Sequence, residues 1–331
     1  MLGLLVLRSL IDLNEASMTL RTNDWVALIE AAYAFEGGDQ EWLDRVFACA
    51  NPLLDRGMAR NAYTFECTPT TFRLGEIASG ASRGMRTLTR LGHAIAPAKW
   101  FDLTYRSGVT VGTASEVIYP YVASKPYLRL TRGRSRDLFM TGGHSGTGLG
   151  IALATQLKDE RRATTVERKR WPQIGAHLGA GLRLRHVART LSFDAASVEA
   201  ILDSGGKLHN ATETTAAPWA RERLRNAVRC IERARTIAGR NDPDAALDAW
   251  EGLVAGRWSM IDRFDTDGKR FIVAVKNDPA YPDPRGLTPR ERQVAEFVGL
   301  GRTTKDIRYT LGISDAAVAN CTARAQLKLG L

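Results

Sequence analysis

Cysteine, histidine and long apolar runs are all scarce in this chain. The four cysteines, Cys49, Cys67, Cys230 and Cys321, are scattered, with no C-x-x-C pair and no histidine at metal-ligand spacing. This pattern is typical of reduced thiols in a cytoplasmic protein, and it predicts no metal site. No apolar stretch approaches the roughly 20 residues that a membrane-spanning helix needs, so we expect no membrane partner.

The amino terminus also lacks the parts of a signal peptide. Its apolar run of six residues is broken by Arg8 and Asp12, with no basic region before it and no small-residue cleavage site after it. A more usual domain start opens at Met18. Residues 1–17 are therefore a candidate upstream extension, and the true start is either Met1 or Met18.

Positive charge is what the chain has in excess. Lysine and arginine number 46 against 36 aspartates and glutamates, which gives a formal charge of +10 and an isoelectric point near 9.7. That balance favours a polyanion partner such as nucleic acid, although an arginine-rich composition raises this background. At 331 residues the chain is long enough for two or three domains of roughly 100–200 residues each.

The hydrophobic pattern of residues 18–190 predicts an α+β sensor-like domain. It closes with a basic helix over 165–190, whose apolar stripe among arginines such as Arg183 and Arg185 predicts one packed and one solvated side. In outline the domain resembles a GAF-type ligand-sensing domain, which implies a small-molecule effector. Two amphipathic helices open it, and strands or helices follow at 62–67, 71–77, 82–95, 138–140 and 149–153. Candidate pocket residues are Tyr63, Phe65, Phe72, Trp100, Phe101, Tyr105, Tyr119 and Tyr121.

A second, smaller α/β module is predicted over residues 197–276. Its first part, 198–211, has the pattern of a strand, a Gly-Gly turn and a strand, which resembles the opening hairpin of a PAS-like domain. Helices are predicted at 219–236 and 243–254, followed by a second hairpin over 258–275. No internal repeat is apparent in the sequence.

The last part of the chain has the pattern of an all-α helix-turn-helix, over 287–331. Three prolines in residues 277–286 predict a linker before it. Capping boxes at 288–291 and 303–306 predict two helix starts, and Ser314 predicts a third after a Leu-Gly-Ile-Ser turn. The third helix carries its apolar stripe at Val318, Cys321, Ala325 and Leu329.

At these positions residues 287–331 resemble the C-terminal DNA-binding domain of LuxR-type regulators. The resemblance implies a transcriptional regulator that binds DNA as a homodimer on a two-fold symmetric site. It is carried by Leu287, Thr288, Arg290, Glu291, Arg292, Val294, Gly301, Lys305, Ile307, Leu311, Gly312, Ile313, Ser314, Val318, Lys328, Leu329 and Gly330. The DNA-binding residues that it implies are Lys305, Ser314, Ala317, Val318, Ala319, Asn320, Arg324 and Lys328.

The sequence departs from that family where DNA would be contacted. The family's recognition helix usually has Thr-Val-Lys-x-His, whereas this chain has Ala-Val-Ala-Asn-Cys over 317–321 and stops at Leu331, where relatives continue into a fourth helix. A helical wheel leaves Asn320 and Arg324 as the side chains able to bond to base edges. We therefore predict weak DNA binding. The alternative is a regulatory protein-interaction partner whose helix-turn-helix does not bind DNA.

A glycine-rich stretch at 142–150 raises the question of an enzyme. A serine-hydrolase elbow needs G-x-S-x-G, but Thr147 stands at its last position, and neither nucleotide-loop spacing is met. A hairpin between two strands is the simpler interpretation, so no catalytic residue and no cofactor are predicted. The isolated histidines are predicted to be structural or exposed: His93, His177, His186 and His209.

Overall fold

The structure, a computed structural model, describes residues 24–34, 36–68, 70–106, 111–122, 130–131, 133–145, 148–190, 198–250, 252–254, 258–264, 268–276 and 288–329. Within these ranges the side chains at 187–190, 253–254, 264 and 327–329 are not described. The candidate extension 1–17 and the predicted linker 277–286 lie outside the described residues. So does the side chain of Lys328.

The first half of the chain folds around an antiparallel sheet, as the alternating stretches predict. Its elements are α1 (Trp25–Ala32), α2 (Asp39–Leu53), β1 (Arg60–Cys67), β2 (Phe72–Ile77), α3 (Arg83–Ile95), α4 (Ala98–Phe101), a π-helical turn (Asp102–Arg106), β3 (Val111–Thr113), α5 (Ala114–Val117), β4 (Asp137–His144), β5 (Leu149–Leu157) and α6 (Thr165–Thr190). The strand order is β2-β1-β5-β4-β3. Along β5, Ile151 and Leu153 face the core beneath α6, whereas Ala152 and Ala154 face an aromatic cluster on the other side.

The second half begins with another antiparallel sheet. Its elements are β6 (Val198–Asp203), β7 (Leu208–Ala211), α7 (Glu213–Ala216), α8 (Pro218–Arg235), α9 (Ile237–Asn241), α10 (Pro243–Ala249), β8 (Leu253–Val254), β9 (Trp258–Phe264) and β10 (Arg270–Lys276). The helix predicted over 243–254 was too long, because the chain turns to extended backbone at Trp250. Gly252 then packs so closely on Tyr33 that a Cβ would lie 2.9 Å from the tyrosine hydroxyl.

The two sheets share one topology. The second sheet has the order β7-β6-β10-β9-β8. If the strands of each sheet are numbered from one, both sheets have the order 2-1-5-4-3. In both sheets, helices connect the second strand to the third. The sequence shows no repeat because strand order depends on the path of the chain, and different side chains can fill equivalent positions.

Helix α6 is central to the structure, which corrects the prediction that one of its sides is solvated. Every residue from Ile174 to Arg185 is buried, and the helix contacts β4, α1 and α10. Glycines allow this close packing on β4. A Cβ on Gly179 would lie 2.3 Å from the carbonyl oxygen of His144, and one on Gly143 would lie 1.8 Å from that of Gly175. The backbones of helix and strand therefore meet directly.

Two arginines of α6 are buried where the sequence predicted solvent. Arg183 and Arg185 are 5% and 4% exposed. Arg183 donates to the Ser145 carbonyl oxygen at 3.2 Å, and Arg185 donates to that of Ala34 at 3.1 Å. Burial lowers the pKa of Arg183 to about 10, and the nearby charge of Arg290 adds to this effect. Carbonyl acceptors offset the cost of taking these guanidinium groups out of water.

The chain ends in three helices, α11 (Pro289–Gly299), α12 (Thr304–Leu311) and α13 (Asp315–Leu329). The fold is therefore a mixed α+β architecture with two antiparallel sheets followed by C-terminal helices. In the described part of the chain, no helix is both long enough and apolar enough to cross a membrane.

Candidate nucleic-acid interface

The three C-terminal helices enclose a small core of their own. Val294 and Phe297 of α11, Ile307 and Leu311 of α12, and Val318 of α13 are each between 0% and 2% exposed. Of the stripe predicted for the third helix, Val318 lies in this core and Cys321 packs against it. Their contacts fix how the three helices cross, and hence which face of α13 is turned to solvent.

Local hydrogen bonds determine where the helices begin and turn. Capping boxes form at 288–291 and at 303–306, as predicted. Between α12 and α13 the chain passes through Gly312 with φ of 61°, a left-handed conformation that favours glycine. The Ser314 hydroxyl then accepts a hydrogen bond from the Ala317 N–H at 3.2 Å and caps α13.

The residues predicted to bind DNA differ in how far their side chains are exposed. Val318 is 2% exposed and belongs to the core, so its side chain cannot reach a ligand. Ala317 is half-buried beside it. The side chain of Lys328 lies outside the described residues. The exposed members of the set are Lys305, Ser314, Ala319, Asn320 and Arg324.

One face of α13 is exposed and carries small side chains. This surface, called the α13 face below, consists of Ala316, Ala319, Asn320, Ala323 and Arg324. Its alanines offer only methyl groups, which can contact a thymine methyl but donate no hydrogen bond. Among its members, direct hydrogen bonds to base edges can come only from Asn320 and Arg324.

Few cations surround the α13 face in the described residues. Lys305 and Arg324 are exposed, whereas the Arg308 guanidinium lies 3.6 Å from the Asp315 carboxylate. Asp315 is favoured at this place because a helix N-terminus attracts negative charge. The same carboxylate, 71% exposed, would repel a phosphate. Asp315 therefore offsets part of the positive charge next to the α13 face.

The C-terminal helices are joined to the rest of the protein by a partly buried hydrogen-bond chain. The Tyr309 hydroxyl of α12 donates to the Leu247 carbonyl oxygen of α10 at 3.1 Å, and its oxygen lies 2.8 Å from His177 Nε2 of α6. His177 Nδ1 lies 3.0 Å from the Tyr33 hydroxyl of α1. Burial lowers the pKa of His177 to about 3, so the ring is neutral at pH 7. A neutral imidazole that donates from Nε2 accepts at Nδ1, so every group in the chain is satisfied.

The C-terminal helices and the first sheet also interact electrostatically, through Arg302 just before α12. Burial lowers the pKa of Arg302 to about 10. Burial also lowers the pKa of His144, at the end of β4, to about 4, and the charge of Arg302 contributes to that shift. The two groups therefore lie within electrostatic range. The α13 face takes no part in either interaction, which leaves it open while α12 is docked on α6.

The other candidate sites have structural roles. Gly142 and Gly143 lie in β4 and Gly150 in β5, so the glycine-rich stretch serves strand and helix packing as well as the predicted hairpin. Ser145 is 0% exposed, and its hydroxyl donates to the Leu149 carbonyl oxygen at 2.9 Å. The four cysteines are free. No group of three or more His, Cys, Asp or Glu residues in the described ranges could hold a metal ion.

The aromatic candidates form one cluster with a cavity beside it. Tyr63, Phe65 and Tyr105 line the cavity, and Phe72, Trp100, Phe101 and Tyr119 pack in the same cluster. Tyr121 does not belong to it and is 60% exposed.

The prediction that His93 and His177 have structural roles is confirmed, because both are buried and hydrogen-bonded. Sequence reasoning missed the partnership of His177 with Tyr309. One signal was available: Tyr309 lies two residues after Ile307, about 200° around the helix from the buried stripe. A lone aromatic side chain there indicates that the outer side of α12 has a partner.

In comparisons with known proteins, no family model matches the chain and no curated protein matches it.

Proposed function

We propose that the protein is a DNA-binding transcriptional regulator that contacts DNA through the α13 face. In this proposal, residues 287–331 form a LuxR-type helix-turn-helix that acts as a homodimer. Residues 18–190 are a GAF-like sensor domain and residues 197–276 a PAS-like module. The shared topology of the two sheets supports treating both as related sensory modules.

The observation that carries the proposal is the combination of a left-handed turn and an exposed helix. Gly312 turns the chain and Ser314 caps α13, so that this helix projects its outer face into solvent. A recognition helix needs this placement to enter the major groove. Because few cations lie near this face, DNA binding should be weak. Because only Asn320 and Arg324 can bond to base edges, phosphate contacts should supply most of the affinity.

A second candidate function, a protein-interaction role without DNA, is favoured by one specific observation. The α13 face presents three alanines, Ala316, Ala319 and Ala323, together with only two polar side chains. A small, weakly charged helix face is suited to close packing against another helix. Asp315 next to it reduces the attraction for phosphate.

The salt dependence of DNA binding separates the two candidates. Fluorescence anisotropy of a labelled duplex titrated with the full chain should give an affinity that falls as salt rises. Lys305→Ala should flatten the logarithmic salt slope by about 1, because one phosphate contact is lost. Lys158→Ala removes the same charge from an exposed position after β5 and should leave the slope unchanged. No binding at low salt would favour the protein-interaction role.

A further inference from the structure

The aromatic cluster of the first sheet contains a small cavity. Tyr63, Phe65, Tyr105 and His144 are among its lining residues, and it encloses about 40 Å³. Gly150 makes room for one wall, since a Cβ there would lie 2.1 Å from the Phe65 ring. A cavity of this volume has room for about three waters. A larger guest must widen it, which the flexible Met140 side chain in its lining permits.

Hydrogen bonds determine which hydroxyl groups along one wall of the cavity donate and which accept. His93 Nδ1 lies 2.7 Å from the Thr89 carbonyl oxygen, which can only accept, so Nδ1 carries a proton. Burial lowers the pKa of His93 to about 4, so the ring is neutral and its Nε2 accepts from the Tyr105 hydroxyl at 2.6 Å. The Tyr105 oxygen in turn accepts from the Tyr63 hydroxyl at 2.7 Å. The proton of Tyr63 is thus committed, and its oxygen can only accept.

The remaining polar groups of the cavity are neutral. No Asp, Glu, Lys or Arg of the described residues lines it. The buried Thr104 hydroxyl oxygen in the lining has no hydrogen-bond partner in the described part of the chain. Because burial lowers the pKa of His144 to about 4, this ring is uncharged at pH 7. An ion entering the cavity would lose its hydration without meeting a counter-charge among the described lining residues.

We infer that this cavity binds a small, uncharged, largely aromatic molecule that donates an N–H or O–H hydrogen bond to the Tyr63 oxygen. The ring of the ligand would pack against the Phe65 and Tyr105 rings, which already contact each other, and the Thr104 hydroxyl could meet a second polar atom. This inference rests on the sensory part of the proposed function and names the chemical class of the effector.

Phenol, its isostere toluene and the benzoate anion are suitable probes, measured by calorimetric titration of the full chain. Phenol should bind more tightly than toluene, and benzoate should not bind. Tyr63→Phe should weaken phenol binding by about three- to tenfold, the effect of one net hydrogen bond, and leave toluene unchanged. Tyr121→Phe is the matched control, because this hydroxyl lies on an exposed ring away from the cavity.

Three outcomes would overturn the inference: no binding of any probe, benzoate binding as tightly as phenol, or phenol binding that is indifferent to Tyr63→Phe. Thermal melts of both tyrosine variants establish that the fold is intact. DNA titrations of the same variants in the absence of any probe test the α13 face separately. Loss of probe binding with DNA binding retained therefore rejects the ligand class alone, and the reverse rejects the DNA proposal alone.

Discussion

His177 and Tyr309 lie 132 residues apart in the sequence, yet His177 Nε2 is 2.8 Å from the Tyr309 hydroxyl oxygen. The pair connects α6, the central helix beneath the first sheet, to α12 of the C-terminal unit. The Tyr309 hydroxyl also holds α10 through the Leu247 carbonyl oxygen. One phenol group thus links three regions of the chain.

Tyr309→Phe should loosen the contact between α12 and α6. The substitution keeps the ring but leaves His177 Nε2 buried without its acceptor, which costs about 1–3 kcal/mol. Hydrogen exchange should become faster for the amides of α12, while β1 and β5 stay protected. Tyr121→Phe, on an exposed ring, is the control. Equal protection of α12 in both variants would mean that apolar packing alone holds the helix.

Acidification below pH 6.5 should destabilise the fold. Burial lowers the pKa values of His93, His144 and His177 from 6.5 to about 4, 4 and 3. Between these values the unfolded chain binds protons that the folded chain does not, so the free energy of unfolding falls as the pH falls. Each histidine contributes up to about 1.4 kcal/mol per pH unit in this window and nothing above it.

Urea unfolding at about pH 7.5 and about pH 5 measures this effect. Protonation of the Glu167 carboxylate contributes little to the difference between these two pH values. Burial alone would raise its pKa, but hydrogen bonds from Arg161, the Thr164 N–H and Arg56 lower it to about 2, and its stabilisation is lost only as the pH falls below 4.5. His177→Gln should reduce the difference between the two conditions. The same unfolding free energy at both would contradict buried neutral histidines.

Gly143→Ala should destabilise the first sheet. Its Cβ would lie 1.8 Å from the Gly175 carbonyl oxygen, so helix and strand must separate, at a cost of about 1–3 kcal/mol or more. Gly84→Ala is the matched control, since nothing lies within 4 Å of a Cβ there and the residue is in α3. The control should stabilise by about 0.5–1 kcal/mol. Thermal melts that move in the same direction for both would refute the close packing.

Sequence patterns predicted the helices and strands of the fold better than the burial and long-range contacts of individual side chains. The capping box at 288–291 and the stripe through Val318 are local features, so helix starts and core positions could be predicted. The burial of Arg183 could not be predicted, because it depends on β4 lying against glycines of α6. The link between His177 and Tyr309 is a long-range contact that no local pattern encodes.

Adding contacts to the α13 face should strengthen DNA binding. Ala317→Thr with Ala319→Lys adds a hydroxyl and a cation beside Asn320 without changing the core. Each good contact contributes about 1–3 kcal/mol, so the two together should raise affinity by roughly thirtyfold or more at fixed salt. Melting should barely change, because Ala319 is exposed and Ala317 half-buried. Unchanged affinity with unchanged melting would favour the protein-interaction role.

The most direct test of the account compares two glutamate substitutions that change the net charge equally. Ala319→Glu places a carboxylate in the middle of the α13 face, whereas Ala238→Glu places one on the exposed surface of α9. The measurement is the affinity of the full chain for one labelled duplex at fixed low salt. If α13 enters the groove, Ala319→Glu should weaken binding at least about tenfold, since a carboxylate there faces phosphates and base edges. Ala238→Glu should change it little. Equal weakening by both substitutions, or none by either, would contradict DNA recognition through α13.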